Sequence, residues 1–384
     1  MLDKHKIVIL HNIISPYKTL LFNALYKVSN DLKVLYISET ERRREWNIKK
    51  DELKFPYEIM FKVPLDEVPT VSLFKKTWER LNAVNPEVLI IDGYSYAVCW
   101  AGLFWAKAKG KKIILWSSSN EDDHNRIFYK ESIKRFFVKR CNAYNVYGTR
   151  SKEYLLKLEA ERDKVFIMGN NTDNDFFSNE TEKLKTEKVV LCQQMGNPLH
   201  NFLCVARFSA EKNILHLLDA YKRLVDKNIT DWGLILVGNG PQREEYENYI
   251  TKYALKNVLM PDFKQKEELP LYLALSDVFI LPSISETWGL VVNEAMAAGL
   301  PVLVSRKCGC YPDLIKEGVN GFSFDPYDEF ALTDLMHNII QGRVDLEYLG
   351  KNSLEIIKEF TPERAARIFS NTIEFVQEKE TLQL

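Results

Sequence analysis

Two carboxylates set eight residues apart, Glu286 and Glu294, carry the clearest chemistry in this sequence. They lie in the stretch Asp277–Ser305, DVFILPSISETWGLVVNEAMAAGLPVLVS. Its apolar run, Val278–Leu281, is too short for a soluble helix and suits a buried parallel strand. Pro282 and Ser283 end that strand, and the polar turn Ser285-Glu286-Thr287 follows. Leu290, Glu294, Ala297 and Ala298 then recur at helical spacing until Gly299 and Pro301 stop the helix, and Val302–Ser305 forms a second strand. Glu286 therefore falls at the carboxyl end of a strand, where open α/β sheets bind ligands. Glu294 falls inside a helix that is otherwise small and apolar. A carboxylate there is costly to bury unless it accepts hydrogen bonds, and sugar hydroxyls are suitable donors. The helix start between the two acids offers unpaired backbone N–H groups and a positive dipole end, which suit a phosphate. Hydroxyl acceptors flanking an anion site describe a sugar nucleotide. The competing reading is a solvated first-turn acid plus an incidental mid-helix acid.

The stretch resembles the signature of the retaining family-4 glycosyltransferases, E-x-x-G-x-x-x-x-E-A-M-A-x-G-x-P-V. Glu286, Gly289, Glu294, Ala295, Met296, Ala297, Gly299, Pro301 and Val302 all match it. The resemblance implies a GT-B architecture, two Rossmann-like doubly wound α/β domains facing a cleft. It also implies sugar transfer, with retention, from a nucleotide-diphosphate sugar to a hydroxyl acceptor, with UDP the commonest nucleotide in the family.

The residues upstream fit that frame. Phe202–Phe208 reads as a strand, and Ser209-Ala210-Glu211-Lys212-Asn213 leads into a helix over Ile214–Val225. Arg207 and Lys212 thus point into the ligand end of a sheet. A guanidinium fork plus a point cation suits a diphosphate carrying about two negative charges. The pair also matches the family's Arg-x-x-x-x-Lys, which gives Arg207, Lys212 and Glu286 as catalytic candidates. Candidates for holding the donor are Glu294, Gly289, Trp288, Leu290, Phe263, Lys264 and Gly238. Glu294 is assigned to the ribose and Glu286 to the transferred sugar. Phe263 and Lys264 match where the family holds the base, and read equally well as a packed ring and a surface lysine. Gly238-Asn239-Gly240-Pro241 is not a dinucleotide fingerprint, because Arg243 stands at the last glycine position.

The first half alternates strands (Ile7–Leu10, Lys33–Ile37, Tyr57–Phe61, Val88–Ile91, Lys112–Trp116, Ala143–Tyr147, Val165–Met168) with helical patterns, which means a parallel, doubly wound sheet. Candidates on the acceptor side come from its loops: Ser15, Tyr17 and Lys18 after the first strand, Tyr94 after the fourth, and Asn120 and His124 after the fifth. Ser15 stands as a cap before Pro16. Tyr17 and Lys18 read equally as a packed aromatic and a solvated cation. Many family members hold a histidine where this chain has Ser119 and Asn120. Asp173 and Asp175 spell Asp-x-Asp, but the segment resembles the family's asparagine–aspartate–phenylalanine loop before the linker. The charged stretch Ser178–Lys188 reads as that linker. The expected division is residues 1–178, 179–360 and a terminal helix, 361–384, crossing back to the first domain.

Composition bounds the rest. At 384 residues the chain suits two domains. With 52 basic and 53 acidic residues, net charge −1, there is no basic field for nucleic acid. No apolar run reaches the roughly 18 residues needed to span a bilayer. The amino end enters a strand directly, unlike a secretory signal. Six scattered cysteines read as reduced core residues of a cytoplasmic protein, and Cys308-Gly-Cys310 lacks a second pair for zinc. Two basic stretches stand out, Glu41–Trp46 in a loop and the amphipathic Tyr129–Arg140 (YKESIKRFFVKR). The second suits weak peripheral contact at the inner face of the membrane. Its Ile133, Phe136 and Phe137 equally suit a helix packed on the sheet. No metal and no cofactor beyond the nucleotide-sugar co-substrate are expected. The rival readings are a sugar-nucleotide epimerase or hydrolase of the same architecture, and a binding subunit without chemistry.

Overall fold

The structure, a computed structural model, describes residues 6–42, 46–122, 127–227 and 231–378. The described residues form two compact units, one reaching Asn171 and including the helix from Pro362, the other running from Thr172 to Thr361.

The first unit runs β1 (Ile7–His11), α1 (Pro16–Val28), β2 (Leu32–Ser38), β3 (Tyr57–Phe61), α2 (Thr70–Val84), β4 (Val88–Asp92), α3 (Ala97–Ala108), β5 (Lys112–Ser117), α4 (Phe128–Val138), β6 (Ala143–Val146), α5 (Thr149–Lys157) and β7 (Val165–Ile167). All pairings are parallel, in the order β3-β2-β1-β4-β5-β6-β7. The strands are short Val/Ile/Leu-rich runs, buried on both faces as a covered parallel sheet requires. Right-handed crossovers place α1 on one face and α2 to α5 on the other. The order reverses direction between β1 and β4, so the carboxyl ends of these two strands border a crevice where such sheets bind ligands.

The second unit opens with α6 (Asn174–Lys185) and α7 (Lys188–Gln194), then β8 (His200–Val205), α8 (Ile214–Asp226), β9 (Trp232–Val237), α9 (Arg243–Lys252), β10 (Val258–Leu259), α10 (Leu269–Ala274), β11 (Val278–Leu281), α11 (Leu290–Ala297), β12 (Val302–Ser305), α12 (Tyr311–Leu314), β13 (Gly321–Phe324), α13 (Ala331–Ile340) and α14 (Leu346–Ile357). Its parallel sheet has the order β10-β9-β8-β11-β12-β13, with the reversal between β8 and β11. A last helix, α15 (Pro362–Glu378), packs on α1, β5 and β6 of the first unit. There Phe369 meets the Trp116 ring edge-on and Thr372 Oγ1 accepts from Asn145 Nδ2 at 2.9 Å.

Two local expectations change. Ser178–Lys188 is not an unstructured linker but most of α6 and the start of α7. Asp173 caps α6 by accepting from Phe176 N at 3.2 Å, and Phe177 and Thr181 are buried while the charges face outward. Lys185 Nζ donates to Ala298 O at the end of α11, and Lys188 pairs with Asp277 at 2.8 Å. A helix whose charged side chains serve neighbouring elements shows little periodic apolar signal. Ser15 holds the cap position of α1, but its side chain makes no capping bond; its carbonyl accepts from Lys18 N, Thr19 N and Thr19 Oγ1.

Candidate functional site

The loops after β8 and β11, on either side of the second unit's reversal point, are tied together by their backbones. Ile284 N donates to Glu211 O at 2.9 Å, and from the loop after β12 Gly309 N and Cys310 N donate to Glu286 O and Trp288 O at 2.9 and 3.1 Å. Close approach enforces this arrangement: a Cβ on Gly309 would stand 1.9 Å from Thr287 O, and one on Gly238 1.9 Å from Ala206 O. Substituting either glycine therefore means moving backbone.

The fixed loops bring Lys212 and Glu286 into direct contact, Nζ donating to Oε2, with each side chain 17% exposed. Burial alone would push the Lys212 ammonium down. The charge and hydrogen bond of Glu286 outweigh it, with Cys308 and Glu211 adding, and hold it above the usual lysine range. Lys212 is therefore a fixed cation at neutral pH. Glu211, next to it, is stabilised as the anion: burial pushes its carboxyl up, but the Ser209 hydroxyl, its own backbone N–H, Lys212 and Arg207 bring it below the usual value. Arg207 is exposed at the mouth of the same loop, one residue past Ala206 N, which donates to Val237 O. Between Lys212 and α8, Asn213 takes a left-handed conformation, φ 55°.

Gly289 caps α11 and Leu290 begins it, half-buried, so the helix start faces the Glu286 loop as the sequence requires. Glu294 is buried in the middle turn. Ser283, which the sequence suggests only as a strand terminator, is fully buried directly after β11, and its hydroxyl has no partner among the described residues. Its type and place at a strand's carboxyl end were the available signal.

Other candidates go elsewhere. The Trp288 ring is buried, its Nε1 donating to Asn293 Oδ1 at 2.8 Å, and so helps to build the loop. Lys264 contacts Glu268 at 3.4 Å. Phe263 is half-buried. Arg243, at the former fingerprint position, locks the Gly238 turn by donating to Gly238 O and Met260 O. Asp173, half of the Asp-x-Asp, caps α6 and pairs with Lys266 at 2.7 Å.

In the first unit, Tyr94 is buried against Phe137 and Asn120 folds into its own loop, accepting from Asp122 N at 2.9 Å. Both side chains are buried. Tyr17 packs on Trp46. His124 lies outside the described residues, as do Arg43, Arg44 and Glu45 of the basic loop. Lys18 is neither solvated nor at a rim. It is buried, donates to Asn170 Oδ1 at 2.9 Å, and lies 5.2 and 4.6 Å from the Trp116 and Tyr147 ring centres. Burial pulls its ammonium down to about 8, against the charge of Asp92. Asp92 Oδ2 lies 2.7 Å from Nδ1 of His11, whose ring stacks on Trp116. His11 and Asp92 end β1 and β4 and so mark this unit's reversal point. Neither stood among the candidate residues read from the sequence, although Asp92 heads the polar loop after the fourth strand and a histidine and an aspartate closing two neighbouring parallel strands were visible.

Residues 198–355 match the family model for glycosyl transferases group 1. The matched segment holds Arg207, Lys212, Glu286 and Glu294, the residues just described. A sulfoquinovosyl transferase of Arabidopsis thaliana is 34% identical over 159 residues, 41% of this chain and 29% of that one. The alpha-monoglucosyldiacylglycerol synthase of Acholeplasma laidlawii is 31% identical over 219 residues, 57% of this chain and 53% of that one. The chain spans about half the length of the curated relatives it matches. Among solved structures, HepE of Anabaena in complex with UDP has a TM-score of 0.77 at 16% identity, covering 96% of this chain and 99% of that one. That likeness shows the fold, a pair of Rossmann-like units of the GT-B type.

Proposed function

We propose that this chain is a retaining family-4 glycosyltransferase. It transfers a sugar from a UDP-sugar to a hydroxyl of a glycan, lipid-linked or small-molecule acceptor, without a metal. The observation carrying the reading is the contact of Lys212 with Glu286 across the second unit's reversal point, beside the start of α11. The similarity of residues 198–355 to the group 1 family, and of the fold to a structure holding UDP, support it.

In this reading the donor diphosphate takes Lys212 from Glu286, and Arg207 adds a second cation. Glu286 then accepts from hydroxyls of the transferred sugar, and Glu294 from the ribose. As the acceptor oxygen replaces the diphosphate on the anomeric carbon, the departing diphosphate gains charge, and fixed cations stabilise that charge most in the transition state. With two cations on the leaving group a divalent ion is redundant. All six cysteines are free and buried, which supports a reducing, cytoplasmic setting. No described helix is long and apolar enough to cross a membrane.

The test is thermal melting of the full chain with UDP and with a panel of UDP- and GDP-sugars, followed by nucleotide-release assays with and without acceptors. A ligand at about 100 times its dissociation constant adds about 2.7 kcal/mol to stability. A melting shift with UDP, and release that needs an acceptor and survives a chelator, are expected. Release without acceptor would mark a hydrolase, and no response to any nucleotide would end the proposal.

A further inference from the structure

A helix that covers a sheet needs one apolar stripe, and α4 has two. The inner stripe is Phe137 and Val138, fully buried, with Phe137 edge-on to Trp100 at 5.0 Å. Lys134 and Glu131 close that side by meeting each other and the Tyr154 hydroxyl. The outer stripe is Tyr129, Ile133 and Phe136, at i, i+4 and i+7, which are 60, 51 and 40% exposed, with Phe128 before them at 86%. It continues onto α3, where Trp100 stacks on Phe136 at 6.2 Å and Phe104 is exposed beside it. The sequence reading that Ile133, Phe136 and Phe137 could all pack inward holds for Phe137 alone.

Contiguous exposed apolar surface marks a partner. Charge indicates which kind: Tyr129–Arg140 carries five cations against one carboxylate. Lys134 meets Glu131, and Arg135 and Lys139 meet Glu159. Lys130 and Arg140 have no carboxylate partner among the described residues, and Arg140 lies 3.3 Å over the Phe136 ring, on the outer stripe itself. An exposed helix face with aromatic rings outward and cations beside them matches a lipid interface, where rings sit at headgroup depth and cations meet phosphates. We propose that the outer face of α4, with Trp100 and Phe104 of α3, docks on an anionic phospholipid surface. This inference does not rest on the donor reading, since it is measured with no sugar nucleotide present.

The experiment is co-sedimentation of the full chain with vesicles of phosphatidylglycerol and phosphatidylcholine in equal parts, and with phosphatidylcholine alone. Sedimentation with the mixed vesicles only, weakened by high salt, is expected. At about fivefold per cation, Lys130→Glu with Arg140→Glu should weaken it by roughly 25-fold or more. Phe128→Ser with Ile133→Ser should remove it while circular dichroism stays unchanged. Val71→Ser, at an equally exposed apolar position on α2, should have no effect. Equal sedimentation with both vesicle types, or none, would overturn the proposal, as would α4 variants that bind like the parent. Light scattering that shows a dimer dissociated by the α4 substitutions would assign the face to a second copy instead.

Discussion

Replacing Lys18 with methionine should remove from the first unit's stability a rise that sets in as pH climbs past about 8. In the unfolded chain this ammonium titrates at the ordinary lysine value of 10.5, and in the folded unit at about 8, because burial disfavours the charge more than Asp92 supports it. Below pH 8 both states are charged and the folded state bears the full cost, about 3 kcal/mol at 1.36 kcal/mol per tenfold. Between pH 8 and 10.5 the unfolded chain still binds the proton while the folded unit releases it, so stability rises with pH across that window. Methionine keeps the aliphatic bulk and does not titrate. It gives up the bond to Asn170, about 1 kcal/mol, and the ring contacts, about 0.5–2 kcal/mol. At pH 7 the variant should therefore be as stable as the parent or about 1 kcal/mol more so. From pH 7.5 to 10 the parent should gain about 2–3 kcal/mol on the variant, whatever that offset. Groups away from the Lys18 cluster titrate alike in both proteins and cancel in the difference. The assay is urea unfolding of both proteins at the two pH values. About 2–4 °C per kcal/mol is the corresponding change in melting temperature for a unit of this size. A constant difference between the two proteins would refute the reasoning, since Lys18 would then be hydrated as folded. A cation kept at such cost at the carboxyl edge of the sheet, beside His11 and Asp92, is what a site demands and packing alone does not.

In the second unit, Lys212→Ala should lower kcat more than it raises KM for the donor, because the leaving group's charge peaks in the transition state; a loss of about 2–4 kcal/mol, roughly 30- to 1,000-fold in kcat/KM, is expected. Unchanged kcat with only a raised KM would remove Lys212 from the chemistry. Glu294→Ala should weaken free UDP and the whole donor alike, by about 1.5–3 kcal/mol in calorimetric titration, while Glu286→Ala should leave UDP affinity nearly intact and blur discrimination among donor sugars. Equal loss of UDP affinity in both variants would place Glu286 on the nucleotide.

The parallel α/β class was legible in the sequence because buried strands and amphipathic helices write their periods directly. The Glu286–Glu294 spacing, the Arg207/Lys212 frame and most element boundaries were legible for the same reason: each depends on residues close in the chain. α6 was misread because its buried contacts are few and its Lys185, like Lys188 at the start of α7, serves a partner far away in sequence, the end of α11 and Asp277 respectively. What only the tertiary structure decided is which side chains meet. It pairs Lys212 with Glu286 across 74 positions and encloses Lys18 with Asn170 across 152. It turns Trp288 and Tyr94 inward and divides α4's apolar residues between a buried and an exposed stripe. Periodicity states that a face is apolar but not how wide a neighbour will cover it. That width, and with it the partner of every charge at the sheet edges, is fixed only when distant strands align.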